Sequence, residues 1–256
     1  MAASPQPMLV ARDIHRHFEG MRAVDGVSID VLPGHVTGLI GPNGAGKSTL
    51  LAVLAGTLPA SSGSIVFEGR DITNLPAYKR ARLGLVRTFQ LPSEFGRLTV
   101  LENLLVAAPH HRGESLHGAL LGKRYWREDE DRLVAEARGL LSRFGMTAKE
   151  SDYAGDMSGG QKRLIEIMRA LMLHPRLLLL DEPMSGVHPS IVGEIASYLE
   201  ALRDEGLTIC MVEHELHMVD RLCNPVVVMA QGKVIGGGTM AALRKQREVV
   251  DAYLVG

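Results

Sequence analysis

The chain has 256 residues, 46% of them hydrophobic, and its formal net charge at neutral pH is −1. This length and apolar content suffice for one large α/β domain, or for a core with a subdomain. The near-zero charge gives no electrostatic reason to expect nucleic acid as a partner. No apolar run approaches the ~18 residues of a membrane span, and the N-terminus lacks the pattern of a signal peptide, so we expect neither.

Short apolar runs and helix boundary signals predict alternating strands and helices in the first and last parts of the chain. Strands are predicted at 8–14, 27–31, 35–40, 63–69, 85–89, 177–181 and 207–213, with a hairpin at 226–235. Helices are predicted at 48–56, 76–84, 159–173 and 189–204, followed by two short C-terminal helices. This alternation favours an α/β fold with a largely parallel sheet.

The middle of the chain is predicted to be helical instead. A helix is expected at 99–108, where Thr99 and Glu102 have the spacing of a capping box. Residues 109–123 are polar and contain glycine, which is typical of a loop. From about 125 to 144 the apolar residues recur along one helix face. We therefore predict a helical insert, roughly 91–157, inside the α/β chain.

The stretch 41–49, "GPNGAGKST", fits the phosphate-binding pattern G-x-x-x-x-G-K-S between a strand and a helix. Its glycines allow the backbone N–H groups to approach phosphate oxygens closely, and the following helix N-terminus favours anions. Lys47 is expected to reach the β- and γ-phosphates, and Ser48 to ligate Mg²⁺. The nucleotide-binding residues predicted here are Gly41, Pro42, Asn43, Gly44, Ala45, Gly46, Lys47, Ser48 and Thr49.

Two carboxylates end the strongly apolar strand in "LLLLDEP" (177–183). Asp181, at the end of a buried strand, is suited to hold Mg²⁺ directly or through water. Glu182 is the candidate general base that polarises the attacking water. The alternative is that both carboxylates only cap a core strand, which the nearby phosphate-binding pattern makes the weaker interpretation.

A second anion-binding helix terminus is predicted at "MSGGQ" (157–161). Ser158 and Gln161 have capping-box spacing, and Gly159 and Gly160 expose backbone N–H groups at the helix start. Two predicted phosphate-binding sites in one chain suggest that two chains face each other head to tail, so that each chain completes the nucleotide site of the other.

Together these motifs resemble the ATP-binding subunits of ABC transporters over nearly the whole chain. The matching elements are the Walker A loop 41–49, Gln90 in "VRTFQ", the signature 157–161, Glu182 after the Walker B strand, and His214 in "MVEHE". The resemblance implies a P-loop NTPase fold of the ABC-ATPase type: a mostly parallel core sheet, an antiparallel β subdomain and an inserted helical subdomain. It also implies a core at 1–90 and 158–256, with the helical subdomain at 91–157.

The resemblance further implies the roles of individual residues. Two subunits would enclose two ATP molecules with Mg²⁺, and Ser158 and Gly160 would grip the nucleotide of the opposite subunit. Gln90 would contact the metal, and His214 would contact the γ-phosphate and orient the water, so that the catalytic set is Lys47, Gln90, Glu182 and His214. Phe18 matches the place of the adenine-stacking aromatic residue, with internal packing as the alternative.

The resemblance also implies partners that this chain does not contain. Transmembrane permease subunits would form the path through the bilayer, with a periplasmic or extracellular substrate-binding protein acting indirectly. The chain would lie peripherally on the cytoplasmic face of the cell membrane, paired with an identical or related ATP-binding subunit. Leu91, Phe95 and Leu98 are predicted to line the permease groove, although each could instead pack inside the insert.

The closest resemblance is to branched-chain amino acid importers, through "GLVRTFQ", "ENLLVA", "VEHELHMV" and the C-terminal "VVDAYLVG". Subunits that serve urea, short amides or lipopolysaccharide share several of these features, so other cargoes stay open. A soluble ABC ATPase of translation or DNA repair, or a regulatory subunit that binds ATP without hydrolysis, are further alternatives. His188 stands where the family usually carries Asp or Asn, which bears on how the two nucleotide sites communicate.

Overall fold

The computed structural model describes residues 6–88, 95–109 and 123–255. The chain forms two compact units. The first comprises Met1–Gln90, Arg176–Ser185 and Ala196–Gly256, and the second comprises Leu91–Pro175 and Gly186–Ile195. Within the described ranges, no helix is both long and apolar enough to span a membrane.

The first unit contains two sheets. The four-stranded sheet consists of β1 (Leu9–Phe18), β2 (Met21–Val31), β4 (Ser62–Phe67) and β5 (Arg70–Asp71), in the order β2-β1-β4-β5. All of its strand pairs are antiparallel. The tight turn between β1 and β2 places Glu19 and Gly20 at φ values of 39° and 94°, the left-handed backbone that two-residue hairpins favour.

The six-stranded sheet has the order β10-β9-β3-β8-β7-β6. Its strands are β3 (Val36–Ile40), β6 (Leu85–Arg87), β7 (Leu177–Asp181), β8 (Thr208–Val212), β9 (Val226–Ala230) and β10 (Lys233–Gly238). All pairs are parallel except the predicted hairpin of β9 and β10. Every residue of β3, β7 and β8 is buried, which explains their continuous apolar sequences. The mostly parallel sheet and the antiparallel subdomain confirm the predicted fold class.

The core of the first unit lies around α1 (Lys47–Ala55). Leu50, Leu51 and Leu54 are fully buried in one cluster with residues of both sheets, including Leu39 and Phe67. The other helices that lie wholly in this unit are α2 (Ala77–Arg82), α7 (Leu216–Leu222), α8 (Met240–Leu243) and α9 (Arg247–Val255). The helix α7 is not predicted from the sequence, because seven residues are too few to display a helical period clearly.

The second unit is helical. Its helices are α3 (Val100–Ala107), α4 (Lys123–Arg143) and α5 (Gly159–Leu171), with short 3₁₀ turns at Thr147–Lys149 and Ala154–Asp156. The helix α6 (Pro189–Asp204) begins in this unit and ends in the first. The capping box that opens α3 is present as predicted, with both Thr99 and Glu102 engaged. Most of the predicted loop 109–123 lies outside the described residues.

The two compact units differ from the predicted division in two segments. The predicted core includes all of 158–256, whereas the helix α5 and residues 186–195 belong to the second unit. The reason is that α5 packs on α3 of the helical unit. The functional division into a nucleotide-binding core and a helical subdomain remains a prediction.

Candidate functional site

The loop between β3 and α1 has a backbone that only glycine accommodates at key points. Gly41 and Gly46 have φ values of 148° and 95°. A Cβ atom on Gly41 would lie 2.0 Å from the carbonyl oxygen of Met229, and one on Gly46 would lie 2.1 Å from that of Ala23. The pattern of glycines therefore follows from close packing of this loop against neighbouring backbone as well as from its left-handed turns.

Lys47 is the first residue of α1, and its ammonium group folds back over the loop. Nζ donates hydrogen bonds to the carbonyl oxygens of Gly41 at 2.7 Å and Pro42 at 2.9 Å. Burial lowers the pKa of Lys47, and the carboxylates of Glu182 and Asp181 oppose that shift. The loop thus presents a nearly buried cation at a helix N-terminus, which suits a phosphate group.

Asp181 ends β7 and is fully buried. Its Oδ1 accepts a hydrogen bond from the Ser48 hydroxyl at 3.0 Å, and its Oδ2 accepts one from Arg87 Nη2 at 2.8 Å. A hydroxyl beside a carboxylate is the oxygen donor set that Mg²⁺ prefers, so these residues fit the expected ion. Arg87 is not among the predicted site residues, although an arginine inside the apolar run "LVRTF" is a signal for a buried ion pair.

Glu182 and His214 form a close pair at the ends of adjacent strands. Glu182 directly follows β7, and His214 follows β8 after one intervening residue. These strands pair in parallel, with Asp181 opposite Val212. The imidazole Nε2 lies 2.7 Å from Glu182 Oε1. This separation is within hydrogen-bonding distance.

Lys47, Ser48, Glu182 and His214 all line one cavity of about 450 Å³. It is lined by Met21, Arg22, Ala23, Asn43, Gly44, Ala45, Gly46, Lys47, Ser48, Thr49, Glu182, His214 and Gln231. Its size is that of a small-molecule site. Its lysine cation, serine hydroxyl and glutamate carboxylate suit a nucleoside triphosphate with Mg²⁺. The residues from β2 and the β9–β10 turn were not predicted, because no local motif marks them.

Phe18 lies at the end of β1 and pairs across the hairpin with Met21. The Arg16 guanidinium lies 4.4 Å from the centre of the Phe18 ring and stacks on it. Met21, whose surface is 64% exposed, lines the cavity, whereas Phe18 is not among the lining residues found in the described part of the chain. Gln90, the remaining predicted metal and catalytic residue, lies outside the described residues.

The "SGGQ" residues lie in the other compact unit, at the start of α5. Ser158 is the N-cap, and the predicted capping box with Gln161 is present in both directions. A Cβ atom on Gly160 would lie 2.7 Å from Ile191 Cδ1, so packing against the start of α6 requires glycine here. Just before α6, His188 Nδ1 lies 2.9 Å from the Ser190 hydroxyl.

Comparisons with known proteins agree with this geometry. A family model described as "ABC transporter" matches residues 24–185. The probable branched-chain amino acid transport ATP-binding protein LivG of Archaeoglobus fulgidus is 36% identical over 96% of this chain and 95% of its own length. The high-affinity branched-chain amino acid transport ATP-binding protein BraF of Pseudomonas aeruginosa is 35% identical over 97% of this chain and 98% of its own length.

Solved structures give the same result. The crystal structure of a nucleotide-free ATP-binding cassette from an ABC transporter matches with a TM-score of 0.84 and 37% identity, over 97% of this chain and 99% of that one. The ADP conformation of such a cassette matches with a TM-score of 0.84 and 36% identity, over 98% of this chain and 100% of that one. The chain belongs to the ABC transporter family and is one of its ATP-hydrolysing subunits.

Proposed function

We propose that this chain hydrolyses ATP to power the import of branched-chain or related amino acids through separate permease subunits. The catalytic part of the proposal is carried by one cavity, which is lined by Lys47, Ser48, Glu182 and His214. Ser48 in turn contacts Asp181, and Glu182 contacts His214. The cargo follows from the relatives LivG and BraF, which are named as branched-chain amino acid transport ATP-binding proteins and align over at least 95% of their length. Urea, amides and lipid are the alternative cargoes, and the uptake experiment below distinguishes them from amino acids.

In the proposed site, the loop 41–49 and the N–H groups at the start of α1 bind the β- and γ-phosphates. Lys47 exchanges its two carbonyl acceptors for phosphate oxygens, and its positive charge offsets theirs. Ser48 and Asp181, together with Gln90, hold Mg²⁺. When bound, that ion supplies charge neutralisation and orientation of the phosphate oxygens.

Glu182 is the proposed general base for the attacking water. Its carboxylate is 17% exposed and paired with His214, so the imidazole fixes which oxygen is free to accept a proton. General-base catalysis is worth about 10²- to 10⁴-fold in rate. Glu182 and His214 are also proposed to position the water against the γ-phosphoryl group.

Closure of two ATP-binding subunits around nucleotide is the proposed coupling step. Ser158, Gly159, Gly160 and Gln161 form the N-terminus of α5, where the backbone N–H groups of Gly159 and Gly160 lie outside the capping box and favour an anion. We assign this terminus to the γ-phosphate of the nucleotide on the opposite subunit. ATP then stabilises the closed state by differential binding, and hydrolysis removes that preference.

The helical unit carries the proposed docking surface for the permease. Phe95 is 48% exposed and Tyr153 is 57% exposed, and a cavity of about 380 Å³ is lined by Gly96, Arg97, Tyr153 and Asp156. Leu98 is half-buried beside them, while the predicted contact Leu91 lies outside the described residues. This surface would hold the chain peripherally on the cytoplasmic face of the membrane.

The Glu182→Gln variant tests the whole proposal. It keeps the shape of the side chain but removes the base, so ATP should bind while hydrolysis slows by about 10²-fold or more. The tagged variant is solubilised from native membranes with ATP and Mg²⁺, and its co-purifying proteins are identified. Lys47→Ala is the matched control, since it should weaken nucleotide binding and recover fewer partners.

Two permeases with a second ATP-binding subunit are expected, and uptake of leucine, isoleucine and valine should be lost with either variant. Uptake of urea, amides or lipid that depends on Glu182, with amino acid uptake unaffected, would refute the cargo. Recovery of no membrane protein from either wild type or variant would refute the transport role.

A further inference from the structure

Glu213 is a buried carboxylate that no motif explains. It lies between β8 and His214, and it is only 3% exposed. Its Oε1 accepts a hydrogen bond from the backbone N–H of Met184 at 3.0 Å, and its Oε2 accepts one from the N–H of His214 at 3.2 Å. One side chain therefore joins the segment after β7 to the segment after β8.

The burial of this group is unfavourable on its own. Burial raises the pKa of Glu213, and the two backbone hydrogen bonds oppose that shift only in part. A buried carboxylate is otherwise costly in a core. A methionine or leucine would fill the same space without the cost, but neither could accept a hydrogen bond from both segments.

The segment that Glu213 contacts has an unusual backbone at Glu182. The φ angle of Glu182 is 49°, in the left-handed region that residues other than glycine rarely occupy. On its N-terminal side, Glu182 is fixed because its N–H donates to the carbonyl of Val212 at 3.0 Å. On its C-terminal side, the N–H of Met184, two residues on, is fixed by Glu213.

We propose that Glu213 is a positioning residue: its carboxylate holds the segments carrying Glu182 and His214 so that the two side chains meet at the 2.7 Å observed. This inference rests on the proposed roles of Glu182 and His214 in hydrolysis. Glu213 is not among the described residues that line the cavity. It therefore acts through the Glu182–His214 pair and touches no substrate. A misplacement of about 1 Å at such a pair can cost up to ~10²-fold in rate.

Glu213→Gln is the first test. The amide oxygen of glutamine can still accept one of the two backbone hydrogen bonds. Its NH₂ group faces the other backbone N–H, and because both are donors that hydrogen bond is lost. Glu213→Asp keeps both acceptors on a side chain shorter by one methylene. Glu215→Gln is the matched control. It is the same substitution two positions further along the chain, and the Glu215 side chain is 51% exposed.

Each variant is measured in the complex that the tagged chain recovers from membranes. The readouts are kcat for ATP hydrolysis, the Kd of a fluorescent ATP analogue and the thermal midpoint. Glu213→Gln should lower kcat by about 10- to 100-fold and change the Kd less than threefold, with a smaller loss in Glu213→Asp. Glu215→Gln should match wild type in both.

A double-mutant cycle separates positioning from general weakening. If Glu213 acts through the catalytic pair, Glu213→Gln should have little further effect on the residual rate of His214→Ala, because the geometry it maintains no longer matters. An undiminished further loss in that background would overturn the inference. So would a wild-type kcat in Glu213→Gln, or a loss of nucleotide affinity as large as the loss of kcat.

Failure of the underlying proposal gives a different result. If Glu182→Gln and His214→Ala hydrolyse ATP at the wild-type rate, the assigned catalytic roles are wrong whatever Glu213 does. If both are slow and Glu213→Gln is not, only the positioning role is wrong. Should Glu213→Gln fail to fold, Glu213→Asp is the deciding variant. It keeps both acceptor oxygens, but its shorter side chain should still lower kcat at unchanged Kd, and a wild-type kcat would overturn the positioning role.

Discussion

Replacement of Arg87 by methionine should destabilise the protein much more than the loss of a surface ion pair. The Arg87 side chain is 13% exposed, and its partner Asp181 is fully buried. Removal of one member of a buried pair leaves an uncompensated charge, which costs about 3–5 kcal/mol. In a chain of this size each kcal/mol lowers the thermal midpoint by about 2–4 °C, so a loss of ~6–20 °C is expected.

Thermal denaturation followed by circular dichroism measures this effect, with Arg12→Met as the control. Arg12 pairs with Asp30 in an exposed contact, where the side chains are 48% and 43% exposed, and such pairs are worth at most about 1 kcal/mol. Adding Asp181→Asn to Arg87→Met should recover part of the loss, because it removes the stranded charge. A midpoint for Arg87→Met no lower than that of Arg12→Met would refute the reasoning.

Two further predictions concern other buried polar groups. Cys210 and Cys223 are buried, and burial raises the pKa of each thiol to about 12, so neither should react with a disulfide reagent at pH 8 until denaturant is added, when both should. The guanidinium of Arg80 donates to four backbone carbonyls, including those of Val53 and Leu54 at 2.8 and 2.7 Å. Arg80→Met should therefore lower the thermal midpoint by more than Arg12→Met does, since each buried carbonyl left unpaired costs about 1–3 kcal/mol; equal midpoints would contradict this.

The features that the sequence predicted well are local ones. The glycine pattern of the loop 41–49 and the capping boxes at Thr99 and Ser158 each involve residues within a few positions of one another. Backbone geometry over such short spans depends on the residues themselves, so a single sequence suffices to predict it. The parallel sheet followed because buried strands with helices between them have few other arrangements.

The features that the sequence did not predict depend on strand order. Arg87 and Asp181 are 94 positions apart, and Glu213 and Met184 are 29 apart. Neither pair can be recognised until the sheet places β6 beside β7 and β7 beside β8. The predicted reason for Gly160 was also incomplete, because its close contact is with Ile191 of a helix more than one element away.

The register of the sheet then explains why an arginine in an apolar strand meets a carboxylate. Arg87 lies opposite Leu179 in the parallel pair, and Asp181 is two residues further on, where the side chain points to the same face as that of Leu179. The guanidinium reaches forward to Asp181 Oδ2 while Ser48 holds Oδ1. Both carboxylate oxygens of Asp181 are therefore hydrogen-bonded, one to the sheet residue Arg87 and one to Ser48 at the start of α1. Arg87 therefore helps to fix the orientation of the Asp181 carboxylate beside Ser48, and Ser48 lines the cavity.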